Sequence, residues 1–573
     1  LYISLMAVCL VLYDLGFRQN IIQLKYINLL YTIFLILLIG TIIVKYILNY
    51  QSIKLKLWVI DGLYLVFALV ILFSSKYFPL TDTPLIELFE NKFWLFFAFI
   101  VSLVRELAAV DLNLKYRKTN PALLFVISFA VIIFSGTFLL LLPRATYAGI
   151  SFTDALFTST SAVCVTGLVV VDTGSYFTLF GQTIVLGLIQ LGGLGIMTFA
   201  SFFTLFLRGG ASYQNLIMLG NLTSVSKITE VWATLKKIII FTLLIEAFGT
   251  VIIYLNLGSH NNMDEDTKLF FSIFHSVSAF CNAGFSTLEN SFYDISFRFS
   301  YSLHLIIAFL FIIGGLGFPV VINLFAYLKH LIFNRVLRIN KQRAVLYKAR
   351  VINLNTRLVF YTTLILIICG TALFYLLEYN NTLAEHHGTG KVVSAFFGAV
   401  TPRTAGFNTV DTSGFYMTTT MLVVFLMWIG ASPASTGGGI KTSTFALAVL
   451  NVIALAKGRN RLEINRREIP VSSINRAFAF VFLSIFIIGI MIFSLMITDS
   501  DKIFADLLFE VFSAFSTVGL SRGITGDLSL AGKYIIIFTM YIGRVGALSL
   551  LVAFFRRTKT VFYQYPEEGV LIN

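Results

Sequence analysis

Four short stretches carry the residues best placed to do chemistry. They read Ser161-Ala-Val-Cys-Val-Thr-Gly-Leu168, Ser278-Ala-Phe-Cys-Asn-Ala-Gly-Phe285, Val400-Thr-Pro-Arg-Thr-Ala-Gly-Phe407 and Ser513-Ala-Phe-Ser-Thr-Val-Gly-Leu520. Each ends in a small or hydroxyl residue, a glycine, and Leu or Phe. The glycines Gly167, Gly284, Gly406 and Gly519 lie 117, 122 and 113 residues apart. Solenoid units run about 20–50 residues, so this period suits four larger units around one axis. Glycine takes a positive φ without a Cβ penalty, which lets neighbouring carbonyls turn to one side. Four such strands would stack rings of carbonyl oxygens able to replace the hydration shell of a cation. The candidate ligating positions are Val165, Thr166, Gly167 and Leu168; Cys281, Asn282, Ala283, Gly284 and Phe285; Thr404, Ala405, Gly406 and Phe407; and Thr517, Val518, Gly519 and Leu520.

Potassium channels line their filter with the loop Thr-Val-Gly-Tyr-Gly. Thr517-Val-Gly519 matches the first three residues of that loop, and Thr404 and Gly406 match its Thr and first Gly. A single Thr-x-Gly is common in turns. Four glycine-centred tetrapeptides at similar spacing, each between apolar helices, are the informative fact.

Each loop needs helices to deliver it. From about residue 120 one plan repeats: an apolar helix, a short amphipathic helix, the Gly-centred loop and a second apolar helix. The expected spans are 121–143, 152–164, 165–168 and 178–207; then 233–257, 268–281, 282–285 and 300–329; then 356–379, 391–403, 404–407 and 417–455; then 471–497, 503–516, 517–520 and 533–555. Four apolar stretches precede them, near 2–16, 27–49, 57–75 and 93–110. The expected fold is therefore an all-α membrane protein: N-terminal helices in 1–115, then pore repeats in 116–210, 211–335, 336–460 and 461–573, the last with a tail. The first residue is Leu, so the true start is expected upstream, and no cleavable signal peptide is evident.

Composition agrees. The 573 residues are 58% hydrophobic and 12% charged, with a mean hydropathy of +0.88, against about 25% charged in soluble domains. The net charge of +14 follows the positive-inside rule and needs no nucleic acid. Lys115, Arg117 and Lys118, Arg208 to Lys237, Arg335 to Arg350, Lys457 to Arg467, and Arg556 to Lys559 all fall on one side. Asp82 and Glu87, Asp264 to Asp266, and Asp499 and Asp501 fall on the other. Every repeat then enters from the cytoplasm, and the N-terminus is cytoplasmic, in a multi-pass protein of the inner (plasma) membrane. Short helices ending half-way across aim C-terminal dipole ends, each about half a negative charge, at the axis, which favours a cation there. Of the first four helices, the fourth offers Arg105 alone before its end, which argues for a peripheral bundle rather than a voltage sensor. Cys9, Cys164, Cys281 and Cys369 show no metal or disulfide spacing and read as packing residues.

Taken together, residues 120–556 resemble the potassium transporters of the TrkH/KtrB/HKT superfamily. The motifs are the four loops, Gly192-Gly-Leu-Gly195, Gly314-Gly-Leu-Gly317, Trp428 to Lys441 and Ile542-Gly-Arg-Val-Gly546. The resemblance implies a gate beneath the filter in the interrupted third-repeat helix, at Ser432, Pro433, Ser435, Thr436, Gly437, Gly438, Gly439 and Lys441, with Ala431, Pro433 and Ala434 where relatives more often have Gly or Ser. It implies that Arg544 projects below the filter, repelling the ion and holding the gate. The alternative for Arg544 is an ion pair with Glu246 or Glu510. Some plant relatives carry Ser at the first filter glycine and pass sodium; this chain keeps glycine in all four places, which implies potassium. Arg403 is expected to brace the pore helices. The resemblance further implies a homodimer working with a cytoplasmic nucleotide-binding regulatory ring, docked on 331–350 or 457–467; those basic segments serve equally as anchors on anionic lipid.

The expected function is potassium uptake driven by the membrane potential. No Walker A or transport-ATPase motif and no organic cofactor are expected. The alternatives are a sodium- or proton-coupled symporter using Glu246 or Glu378, with sodium as coupling ion or activator, and a non-transporting sensor. An enzyme fits worst, because the six His residues show no metal-ligand spacing and no nucleophile–base pair stands out.

Overall fold

The computed structural model describes residues 1–48, 55–74, 92–109, 121–206, 231–258, 263–339, 352–459 and 461–546. The N-terminal helices are α1 (Tyr2–Gly16), α2 (Ile21–Leu48), α3 (Leu55–Ser74) and α4 (Lys92–Ala109). Then come α5 (Pro121–Leu140), α6 (Phe152–Cys164), α7 (Thr173–Tyr176) and α8 (Leu179–Phe206); α9 (Val231–Leu257), α10 (Glu265–Phe280), α11 (Tyr301–Leu316) and α12 (Phe318–Ile339). They are followed by α13 (Leu354–Glu378), α14 (Thr389–Val400), α15 (Met417–Trp428) and α16 (Thr442–Ala456), and by α17 (Val471–Thr498), α18 (Phe504–Ser516) and α19 (Leu530–Val545). The fold is all-α and membrane-spanning. Among the described residues, α2, α13, α17 and the Leu235–Leu257 part of α9 are long and apolar enough to cross a membrane, and α11 with α12 forms a bent fifth candidate. Phe248 and Phe493 stand more than 60% exposed on these helices, as lipid-facing side chains do.

The short helices α6, α10, α14 and α18 are the most buried elements. Every residue of α6 from Ala155 to Cys164 is buried, and only buried residues occur from Phe274 to Phe280 in α10. Such sequences end in helix-stopping backbone: Val165 and Thr517 cap α6 and α18 in the left-handed region. The second helix of a unit then packs on the short helix through a glycine. A Cβ at Gly192 of α8 would collide with the Val163 carbonyl, one at Gly314 of α11 with that of Phe280, and one at Gly543 of α19 with that of Phe515.

The fold departs from the sequence expectation in two places. The span 300–329 is not one helix: α11 and α12 meet at a bend of 104° at Gly317, whose φ is +80°. The similar run Gly192 to Gly195 stays inside the unbroken α8. The basic segment 457–467 is not a plain linker. It holds a hairpin, β1 (Glu463–Ile464) against β2 (Arg467–Glu468), with Asn465 and Arg466 both at positive φ. That pair of conformations is a two-residue type I′ turn. The basic clusters 115–118, 341–350 and 556–559, Arg208, Lys227, Asp82, Glu87 and the end of the last helix beyond Gly546 lie outside the described residues.

The N-terminal helices pack a core of their own, with Tyr31, Leu35, Ile42 and Phe99 at its centre. Its buried acids are paired. Asp14 accepts from Tyr31 and lies 3.0 Å from Lys92 Nζ; Asp61 lies 2.7 Å from Arg105 Nε and accepts from Tyr46 at 2.7 Å. Arg105 is thus half of an ion pair between α4 and α3.

Candidate functional site

The four glycine loops meet. A Cβ built on Gly167 would lie 3.1 Å from Gly284 Cα, one on Gly284 2.9 Å from Gly406 Cα, one on Gly406 3.4 Å from Gly519 Cα, and one on Gly519 3.0 Å from Gly167 Cα. The chain of contacts closes, so the four backbones form one ring. The ring also sets the carbonyls of Ala283, Ala405, Val518 and Thr166 against the neighbouring glycines Gly167, Gly284, Gly406 and Gly519. No side chain fits between these backbones, which is why four glycines stand here.

The loops share one backbone pattern. Gly167, Gly284, Gly406 and Gly519 have φ of +89°, +70°, +80° and +95°. Two residues before each, Val165, Asn282, Thr404 and Thr517 are also at positive φ, between +52° and +74°. A β-branched residue there is a backbone outlier costing about 1–3 kcal/mol, kept only where the surroundings over-determine it. Those surroundings are visible. Gly167 N–H donates to Ser161 Oγ and Gly519 N–H to Ser513 Oγ, each at 3.1 Å. Ser278 donates to the Phe285 carbonyl at 2.7 Å and Thr401 to the Phe407 carbonyl at 2.6 Å. The side chains of Leu168, Phe285, Phe407 and Leu520 are buried away from the ring, as are Val165, Cys281, Ala283, Ala405 and Val518. The hydroxyls of Thr166 and Thr517 are fully buried without a hydrogen-bond partner among the described residues, a rare state for a polar atom. On one face of the ring, Gly167, Gly284, Gly406 and Gly519 floor an open vestibule of about 460 Å³ whose wall includes Asp172, Glu289 and Asp411.

On the opposite face lies the segment between α15 and α16. It is irregular from Ile429 to Lys441, crossed by a bridge between Ile429 and Ile440. Pro433 and the glycines make a helix costly here. A Cβ at Gly437 would collide with the Thr404 hydroxyl, and one at Gly438 with that of Thr517, so this segment sits directly against the ring. Gly439 takes φ +66° where it passes Gly430. The segment also explains the bend at Gly317. Ser432 N–H donates to the Gly315 carbonyl at 3.0 Å, Ser435 donates to the Ser432 carbonyl, and the Ala434 carbonyl accepts from Phe318 N–H at 3.2 Å. Irregular backbone at membrane depth is thereby covered by protein. Asn282 joins ring and segment: its amide donates to Thr404 Oγ1 at 3.2 Å and accepts from Thr436 Oγ1 at 3.3 Å.

Two cations hold the segment. Arg544 of α19 donates to the carbonyls of Thr436 and of Gly192 in α8. Lys441 Nζ donates to the Gly437 carbonyl at 2.7 Å. Neither alternative carboxylate reaches Arg544 among the described residues. Glu246 accepts from Gln190 at 3.1 Å, and Glu510 accepts from Ser521 and Thr525. Glu378 accepts from Asn381, Thr382 and the Tyr416 N–H, closing the loop after α13. Arg403 is buried, with Nη2 3.4 Å from Thr363 Oγ1. The sequence did not single out Ser161, Ser278, Thr401 and Ser513 as ring supports. Ser161, Ser278 and Ser513 open their motifs, and that recurrence was the signal.

The structure is thus an all-α membrane protein whose four loops close a backbone ring against an irregular, cation-held segment. Residues 87–561 match the family model TrkH, described as cation transport protein. The chain is 38% identical to Ktr system potassium uptake protein B of Bacillus subtilis over 462 residues, 80% of this chain and 98% of that protein. It is 34% identical to the potassium/sodium uptake protein NtpJ of Enterococcus hirae over 465 residues, 80% of this chain and 98% of that protein. The crystal structure of the potassium transporter TrkH from Vibrio parahaemolyticus shares the fold with a TM-score of 0.62 at 18% identity, covering 92% of this chain and 97% of that one. The chain belongs to the TrkH family of cation transport proteins, and it is a transporter rather than an enzyme.

Proposed function

We propose that this protein takes up potassium ions across the cell membrane through a pore on the axis of the glycine ring. The closed four-glycine ring carries the reading. Its carbonyls, two unpartnered hydroxyls and the converging C-terminal ends of α6, α10, α14 and α18 suit a desolvated monovalent cation. The names of the relatives supply potassium as the ion. The filter is Val165–Leu168, Cys281–Phe285, Thr404–Phe407 and Thr517–Leu520. The gate is the segment from Ser432 to Lys441 held by Arg544. Uptake is driven by the membrane potential, at about 2.3 kcal/mol per charge per 100 mV. A homodimer with a cytoplasmic nucleotide-binding ring, docked on the basic cytoplasmic segments, and a cytoplasmic N-terminus in the inner membrane complete the proposal.

The test is potassium uptake by the purified protein in liposomes under imposed voltage, without a sodium or proton gradient. Voltage-dependent uptake supports the pore. Uptake that requires a sodium gradient supports the second reading, a potassium–sodium symporter, which the name of the Enterococcus hirae relative favours. For that reading Glu246 and Glu378 are the residues to vary; Glu246 accepts from Gln190, and Glu378 accepts from Asn381, Thr382 and the Tyr416 N–H.

A further inference from the structure

The ring looks fourfold, but what stands behind it does not. Nine residues before each ring glycine, in the short helix, the chain has Thr158, His275, Phe397 and Glu510; two residues after each glycine it has Val169, Ser286, Asn408 and Ser521. In the second unit these two positions are joined. His275 Nδ1 lies 2.9 Å from the Phe271 carbonyl, so it carries the proton, and Nε2 accepts from Ser286 Oγ at 2.9 Å. The fourth unit joins them in the same way, with Ser521 Oγ donating to Glu510 at 2.9 Å. Both serines also accept from the backbone N–H two residues on, Leu288 to Ser286 and Gly523 to Ser521, each at 3.0 Å. Two unlike side chains, an imidazole and a carboxylate, thus do one job at equivalent places. In the first unit Val169 has no polar atom to offer and the Thr158 hydroxyl is buried without a partner. In the third, Phe397 packs against His304 and Phe311. His275 and Glu510 are both fully buried, while Ser286 and Ser521 line the vestibule just outside Gly284 and Gly519. Units two and four face each other across the ring.

We propose that the His275–Ser286 and Glu510–Ser521 pairs are specificity-determining braces, which fix one diagonal of the outer ring and leave the other diagonal free to follow the ion. The inference rests on the pore reading above. A ring that cannot shrink along one diagonal cannot close on a smaller ion, so the braces oppose sodium. His275 and Glu510 are positioning residues: they act through the serines and touch no ion.

The experiment measures initial potassium and sodium uptake in voltage-clamped liposomes for Ser286→Ala, Ser521→Ala and the pair together. Val169→Ala and Asn408→Ala serve as controls at the unbraced positions, and Ser286→Thr and Ser521→Thr as hydroxyl-keeping rescues. In parallel, the melting shift given by KCl over NaCl is read on the same proteins, because a bound ion stabilises the fold whether or not it is carried. Each Ser→Ala lowers the potassium-to-sodium ratio about threefold to tenfold, the range one hydrogen bond commands. Maximal potassium uptake stays within about threefold, and the threonine variants and controls keep the wild-type ratio. An unchanged ratio in both alanine variants overturns the braces. So does an equal fall in the controls, or slower uptake at a constant ratio, which is what a merely structural role gives. Absence of both potassium uptake and potassium stabilisation in the wild type overturns the pore reading itself. Stabilisation without uptake leaves the braces to be decided on the melting shift.

Discussion

The ring and the segment beneath it are neighbours built on opposite principles. The ring is backbone against backbone, with glycines where any Cβ would strike the next loop. The segment from Ile429 to Lys441 adds to its backbone contacts with α11 and α12 two long cationic side chains, Arg544 to the Thr436 carbonyl and Lys441 to the Gly437 carbonyl. Close-packed backbone has few alternative arrangements, whereas a loop held by a few hydrogen bonds has a second state within a few kcal/mol. On the proposed pore reading, discrimination belongs to the ring and movement to the segment.

The largest effect is expected from breaking the ring. Gly167→Ser places a side chain at φ +89° against the Ala283 carbonyl. Strain of about 1–3 kcal/mol and a displaced carbonyl should lower the potassium-to-sodium flux ratio more than tenfold, read as paired uptake in liposomes. Next comes the segment. Arg544→Ala removes two hydrogen bonds from a charged donor, each worth about 1.5–3 kcal/mol, and a fixed positive charge. Potassium uptake should rise roughly tenfold or more while the flux ratio changes little; a falling rate would mean that Arg544 supports the pore instead. Thr436→Val should act in the same direction and more weakly, because it removes only the contact to Asn282 and the Phe280 carbonyl.

A third region sharpens the contrast. Residues 1–86 lie outside the family match, and their helices are tied by side-chain ion pairs. Arg105→Leu leaves Asp61 buried with Tyr46 as a hydrogen-bond donor but without its cation, and breaking such a buried ion pair costs about 3–5 kcal/mol. The melting temperature should fall, with potassium affinity and flux ratio unchanged. The smallest effect belongs to the vestibule. Glu289→Gln removes one surface charge, so the apparent affinity for potassium should fall less than threefold at low salt and not at all at high salt.

Much of this was readable from sequence because the ring is a local pattern repeated. A glycine-centred loop with apolar flanks needs no partner to be recognised, and its four copies imposed the helix order around them. Arg544 stood out because a charge inside an apolar helix is costly. Its partners did not, since the carbonyls of Thr436 and Gly192 come from distant segments and any backbone could have supplied them. The bend at Gly317 was equally hidden. Gly192 to Gly195 and Gly314 to Gly317 are similar runs, and the second breaks because the Pro433–Ala434 backbone lies against it. The hairpin at 463–468 was masked by its charge, which drew the reading towards a basic docking segment. The support from Ser161, Ser278, Thr401 and Ser513 becomes legible only when the four loops are laid side by side, because a hydroxyl five or six residues before a glycine has no recognisable role in one loop alone.

The most direct test is rubidium anomalous diffraction from crystals of the wild type and of Gly167→Ser. A filter ring predicts a peak on the axis beside the carbonyls of Thr166, Ala283, Ala405 and Val518, weakened or lost in the variant. Rubidium bound elsewhere, at Glu246 for example, with the ring empty in the wild type, would contradict it.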